Sequence, residues 1–299
     1  MKFARITHEG SSRAAVVEDD VYALLSAAFS DLTNVIEGGE EALEQARREL
    51  RTAPRIAAGD DLLLSPLTRF KRDVLCTGWN YLDHFMEGIG KREGQEVDVP
   101  KRPTFFTKGP NTVIGPRDPI AFDPGLSSKW DYEAELALVI GRAGRSIGTT
   151  TAMEHVWGYL LANDVSQRDL QRAHGGQWLK GKSIDRTMPL GPWLVTADEV
   201  DEAAVQLTCT VNGEKLQDAS TGQMAFPIPT LIAELSFGMT LEPGDLLLTG
   251  TPSGVGNARE PQRFLTDGDE VVVSGTGLGE LRNKVEFTDL HSELRADAD

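Results

Sequence analysis

The stretch Asp131-Tyr132-Glu133-Ala134-Glu135-Leu136-Ala137-Leu138-Val139-Ile140-Gly141 reads as a strand, because it is rich in apolar and β-favouring residues. Side chains alternate faces along a strand, so Glu133 and Glu135 share one face while Tyr132, Ala134, Leu136, Leu138 and Ile140 share the other. Two carboxylates on one face repel each other. A hard divalent cation removes that repulsion, and Mg²⁺ commonly takes one or two carboxylates plus waters and substrate oxygens at about 2.1 Å. The spacing fits equally an exposed strand face bearing two solvated acids.

A second stretch, Val156-Trp157-Gly158-Tyr159-Leu160-Leu161-Ala162-Asn163-Asp164, places Asp164 at the end of an apolar run. If a helix starts there, Asp164, Arg168 and Gln171 fall at i, i+4 and i+7 on one face. That face would offer an acid for a metal, a cation for a carboxylate and an amide for a carbonyl. An ordinary helix N-cap with a surface Asp164–Arg168 pair fits the same string.

The chain has 299 residues, enough for one large domain with a small companion. Lys and Arg number 30 against 46 Asp and Glu, a net charge of −16, which argues against nucleic acid or anionic membrane as partner. An anionic substrate would need a local positive site. Cys76 and Cys209 lie in apolar runs and read as reduced core residues. With no secretory stretch after Met1 and no run near the ~20 apolar residues that span a bilayer, a cytoplasmic protein is expected.

Residues 2–6, 13–17 and 20–24 read as short strands and Glu40–Leu50 as a helix, a small α/β unit ending near residue 70. Asp73–Gly78 is strand-like, and the segment Trp79–Glu87 is helix-compatible. His84 and Glu87, at i and i+3, would touch on a helix, the pairing a general base needs, although surface pairs share that spacing. Gly88–Pro100 is glycine-bearing and charged, either a passive loop or a mobile lid. Pro103–Lys108 is a strand whose terminal lysine reads as readily as a solvated tip. Lys180 and Lys182 flank Gly181 in a loop from which a lysine can reach an anion or enolate oxygen. Asn212-Gly213 marks a hairpin. The glycines from Gly250 to Gly256 lack the Gly-Lys-Ser/Thr ending of a P-loop, so they do not cradle a nucleotide.

Together these motifs resemble the fumarylacetoacetate hydrolase family over about residues 70–287. The resemblance rests on Gly78-Trp79-Asn80-Tyr81-Leu82-Asp83-His84, Asp131-Tyr132-Glu133-Ala134-Glu135, Asn163 to Gln171, Gly181-Lys182-Ser183, and Thr240 to Asp245 running into Thr249 to Gly256. It implies an α+β, β-rich fold: a rolled mixed β-sheet catalytic domain over 71–288, a small α/β domain over 1–70, a polar tail over 289–299, and a homodimer. It also implies Mg²⁺ or Mn²⁺, or Ca²⁺ as in some members, held by Glu133, Glu135 and Asp164. Arg168, Gln171, Thr221 and Thr251 would contact substrate, His84 with Glu87 would activate water, and Lys182 would assist. The segment 85–100 would order over the substrate. A glutamate that larger members carry beyond the late Gly-Thr motif is replaced here by Val255 and Gly256, and His174–Trp178 matches no assigned substrate contact. The implied reaction is hydrolysis of a C–C bond in an acylpyruvate or related 2,4-dioxo acid. Oxaloacetate decarboxylation and isomerisation or hydration of a 2-hydroxymuconate-type diacid are the alternatives, since each passes through a similar enolate.

Overall fold

The computed structural model describes residues 1–29, 31–92 and 96–292. Residues 93–95 of the expected lid and 293–299 of the expected tail therefore lie outside the described residues. Ten strands run in the order Arg55–Ala57, Val21–Leu24, Ser11–Glu18, Lys2–His8, Met188–Thr196, Val156–Asn163, Ala134–Ile140, Leu246–Leu248, Val74–Gly78 and Thr104–Lys108, with two further short strands attached, in one large sheet. Neighbours along that order are antiparallel except Leu246–Leu248 with Val74–Gly78, so the sheet is mixed. A second sheet holds Glu214–Ser220, Gln206–Val211, Glu270–Gly275, Gly279–Phe287 and Ile120–Phe122. The fold is β-rich and mixed, as the family resemblance implies.

Why the Ala134–Ile140 strand is apolar on both faces is clear from its neighbours. Leu136 and Leu138 pack with Leu207, Val271, Val273 and Leu281 of the second sheet. Ala137 and Val139 join Leu32, Val35 and Ile36 of a helix capped by Asp31, which accepts the Thr33 N–H at 2.8 Å. The strand is thus sandwiched, and Glu135, near its start, is its one polar residue. Two solvated acids on an open face are excluded.

The amino-terminal strands continue the large sheet: Lys2 pairs with Val195 and Phe3 with Leu194. The expected hairpin forms, with Asn212 and Gly213 both at positive φ (52° and 80°), as a turn of two left-handed residues requires. One local reading is corrected. Asp164 does not begin a helix, because Ser166–Gln167 pairs as a strand with Trp130–Asp131 and the helix starts only at Arg168. Sheet pairing overrides helical spacing there.

Candidate metal centre

Strand geometry delivers the acids. Glu133 and Glu135 precede and begin the central strand, and Asp164 follows the antiparallel neighbour, in which Ala134 pairs with Asn163. Ligand oxygens of Glu133, Glu135 and Asp164 all lie within 4.8 Å of one another, and all three residues are buried. Cations surround them. Lys182 Nζ sits 2.7 Å from Glu133 Oε2 and 2.6 Å from Asp164 Oδ2. Arg168 lies 2.5 Å from Glu133 Oε1 and 2.8 Å from Asp131 Oδ2.

These charges divide the acids. Burial alone would raise the Glu133 carboxyl, but the Arg168 guanidinium and Lys182 ammonium overcome it and hold the group well below the usual range. Glu135 goes the other way: burial, then Asp164 and Glu133, push it well above. Burial would lower the Lys182 ammonium, and Asp164 with Glu133 reverse that and raise it. Among the described residues no cation pairs with Glu135, whose Oε2 accepts the Gly250 N–H at 2.7 Å. Glu135 is therefore the acid of the triad without an ion pair among the described residues. A divalent ion would fill that role, and three buried oxygen donors suit a hard cation. The residues fit the group.

Sequence reasoning missed Lys108. It ends the Thr104–Lys108 strand yet is fully buried, 2.8 Å from Asp164 Oδ1, with its hydrogen bond given to the Val165 carbonyl at 2.8 Å. A lysine ending a strand next to a predicted core strand was the available signal. Lys108→Met should destabilise the metal-free protein by about 3–5 kcal/mol, because it strips one partner from a buried charge pair; urea denaturation of the metal-free variant would measure it. Asp131 was missed as well. Its carboxylate accepts from Arg168 Nε (2.8 Å), Gly256 N (2.7 Å) and Asn257 N (3.0 Å), which aims the guanidinium at the acids. A side chain has no room at Gly256, where a Cβ would lie 1.8 Å from the Arg263 carbonyl oxygen.

On the opposite wall, the helix Leu82–Glu87 carries the dyad, with His84 Nδ1 2.8 Å from Glu87 Oε1. Glu87 Oε2 accepts the Gly254 N–H at 2.8 Å, which ties this helix to the late glycine loop. Trp79, just before it, sits at φ 54°, a strained conformation for a bulky residue, and packs edge-on to Phe85 and Trp178. Arg168 and Gln171 share a face of the helix Arg168–Ala173, 3.3 Å apart, and both line the pocket over the acids together with His84, Lys182 and Thr251. The Thr251 hydroxyl is already engaged, donating to the Ala134 carbonyl (3.0 Å) and accepting from Gln217 (2.8 Å). Thr221 is not among the residues lining that pocket; its hydroxyl bonds the Val205 backbone. Cys76 and Cys209 are buried free thiols. No helix among the described residues is long and apolar enough to cross a membrane.

The description "Fumarylacetoacetate (FAA) hydrolase C-terminal" matches residues 73–286. A mitochondrial oxaloacetate tautomerase of Homo sapiens is 45% identical over 257 residues, 85% of this chain and 79% of its own. Among solved structures, the fumarylacetoacetate hydrolase of psychrophilic Exiguobacterium antarcticum superposes with a TM-score of 0.83 at 39% identity, covering 96% of this chain and 100% of that one. The maleylpyruvate hydrolase of Sphingobium sp. SYK-6, solved with manganese(II) and pyruvate, gives a TM-score of 0.78 at 28% identity over 97% of this chain and 100% of that one. Buried acids on paired strands, ringed by basic side chains and faced by a His–Glu dyad, thus occur in a chain that belongs to the fumarylacetoacetate hydrolase family.

Proposed function

We propose that this enzyme interconverts the keto and enol forms of a small 2-oxo acid, oxaloacetate, at a site where Glu133, Glu135 and Asp164 would hold a divalent cation. The observation that carries the reading is the buried acid triad, its oxygens within 4.8 Å, facing His84 across a pocket walled by Arg168, Gln171 and Lys182. The likeness to an oxaloacetate tautomerase supports the substrate. Mg²⁺ or Mn²⁺ held there would supply Lewis acidity toward the substrate's oxygens.

The chain's own residues supply the rest. With Glu87 accepting a hydrogen bond from His84 Nδ1–H, His84 Nε2 takes the proton from C3 of the keto form and returns it to the 2-oxo oxygen, and does the reverse for the enol, so no net proton is gained or lost. Lys182, held protonated, stabilises developing oxyanion charge. Arg168 and Gln171 hold the carboxylate end, with Asp131 fixing the guanidinium. Thr251 lies in the pocket wall within reach of the substrate, and Thr221, bonded to the Val205 backbone, lies outside that wall. We also read residues 1–70 as a small α/β domain whose strands continue the sheet of a catalytic domain of residues 71–288.

A second reading, hydrolysis of an acylpyruvate, uses the same dyad to activate water and is favoured by the likeness to a maleylpyruvate hydrolase solved with pyruvate. One experiment separates them: follow the ultraviolet loss of enol-oxaloacetate, and pyruvate and carbon dioxide from oxaloacetate and acetylpyruvate, with Mg²⁺, Mn²⁺ or EDTA. Metal-dependent loss of the enol without carbon dioxide is expected. Pyruvate from acetylpyruvate alone would replace the first reading by the second, carbon dioxide from oxaloacetate would make the enzyme a decarboxylase, and silence throughout would overturn all three.

A further inference from the structure

The space over the acids is small. It amounts to about 20 Å³, close to the room one water needs, whereas a cavity of about 600 Å³ lies on the far side of its aromatic wall. Trp79, Phe106 and Trp178 line both. The Trp178 ring is the centre of this wall, 4.8 Å from the Trp79 ring and 5.2 Å from the Phe106 ring, edge-on to each. Its seat is made by a glycine: a Cβ on Gly78 would lie 2.5 Å and 2.9 Å from two atoms of the indole. The other neighbouring space, beside Arg92 and Asn257, is about 50 Å³ and suits only a short polar group. The large cavity opens to solvent and is lined by Glu96, Arg172 and Gln177 as well as by Val97, Phe105 and Phe106, an apolar side that would accept an alkyl chain.

From this geometry we propose that Trp178 is the specificity-determining residue for substrate length. Its ring confines the ligand's tail to the short polar space and denies it the 600 Å³ cavity. Short oxo acids are thereby selected against long-chain acyl homologues. The inference rests on the metal-chelate reading above, because it takes the ligand's head to be anchored at the acid triad.

N-Alkyloxamates test it, since they keep the carboxylate and adjacent carbonyl of a 2-oxo acid while the alkyl group is lengthened. Binding of oxalate, N-methyloxamate and N-hexyloxamate would be measured by calorimetry with Mn²⁺ present, for the wild type, Trp178→Ala and the milder Trp178→Leu, with melting curves to show that each variant is folded. The wild type should bind oxalate and lose affinity as the chain lengthens. Both variants should gain about 10–200-fold for N-hexyloxamate relative to oxalate. Equal binding of all three ligands by the wild type, or an unchanged length profile in a folded variant, overturns the inference and leaves the metal reading standing. A wild type that binds no oxalate with Mn²⁺ overturns the metal reading and the inference with it.

Discussion

Glu135→Gln should abolish divalent-cation binding and lower kcat/KM about 10³-fold, the loss of about 4 kcal/mol of transition-state stabilisation by the cation. Glu135 is the right residue to change, because it is the triad member that forms no ion pair among the described residues. The effect on stability has the opposite sign in metal-free protein. Burial and the two neighbouring acids raise the Glu135 carboxyl in the folded state above its unfolded value of about 4.3. The unfolded chain therefore loses this proton at lower pH than the folded one, and stability contributed by the protonated group falls as pH rises above that value. Metal-free Glu135→Gln should accordingly melt above metal-free wild type at pH 8, with the gap closing near pH 4. Added Mn²⁺ should reverse the order by stabilising only the wild type, by about 2.7 kcal/mol at a hundredfold excess over Kd. A variant that still gains thermal stability from Mn²⁺ would remove Glu135 from the ligand set.

His84→Ala should separate chemistry from binding. The imidazole shares the pocket with the acids and is oriented by Glu87, so its loss should remove the proposed proton carrier and leave the triad intact. A fall of about 10²–10⁴-fold in kcat is expected, with Mn²⁺ and oxalate binding preserved. Glu87→Gln should cost less, because an amide oxygen can still accept the Nδ1 proton. Since Glu87 also holds the Gly254 N–H, calorimetric oxalate titration of both variants would show whether the wall has moved. Turnover retained in His84→Ala would assign the proton transfer to another group.

How far the sequence carried this site follows from the range of the interactions. The Glu133–Glu135 alternation and the End of an apolar run at Asp164 are local, and both were legible; their meeting needed only two adjacent antiparallel strands. Lys108 was not legible as a site residue, because its burial depends on strand pairings between residues 74–78, 104–108 and 246–248. Asp131 could be quoted within a motif, but its three donors come from residues 168, 256 and 257. The helical spacing of Asp164, Arg168 and Gln171 misled in its first member alone, where a two-residue sheet bridge outweighed it, and Arg168 and Gln171 do share a face. The attachment of the amino-terminal strands to Met188–Thr196 spans some 190 residues of chain and leaves no local trace.

One divalent ion among Glu133, Glu135 and Asp164 would be visible by anomalous diffraction from crystals soaked in Mn²⁺. A single strong peak at about 2.1–2.2 Å from one oxygen of each acid is predicted. A peak elsewhere, or none while Lys182 still bridges Glu133 and Asp164 at the distances seen here, would contradict it.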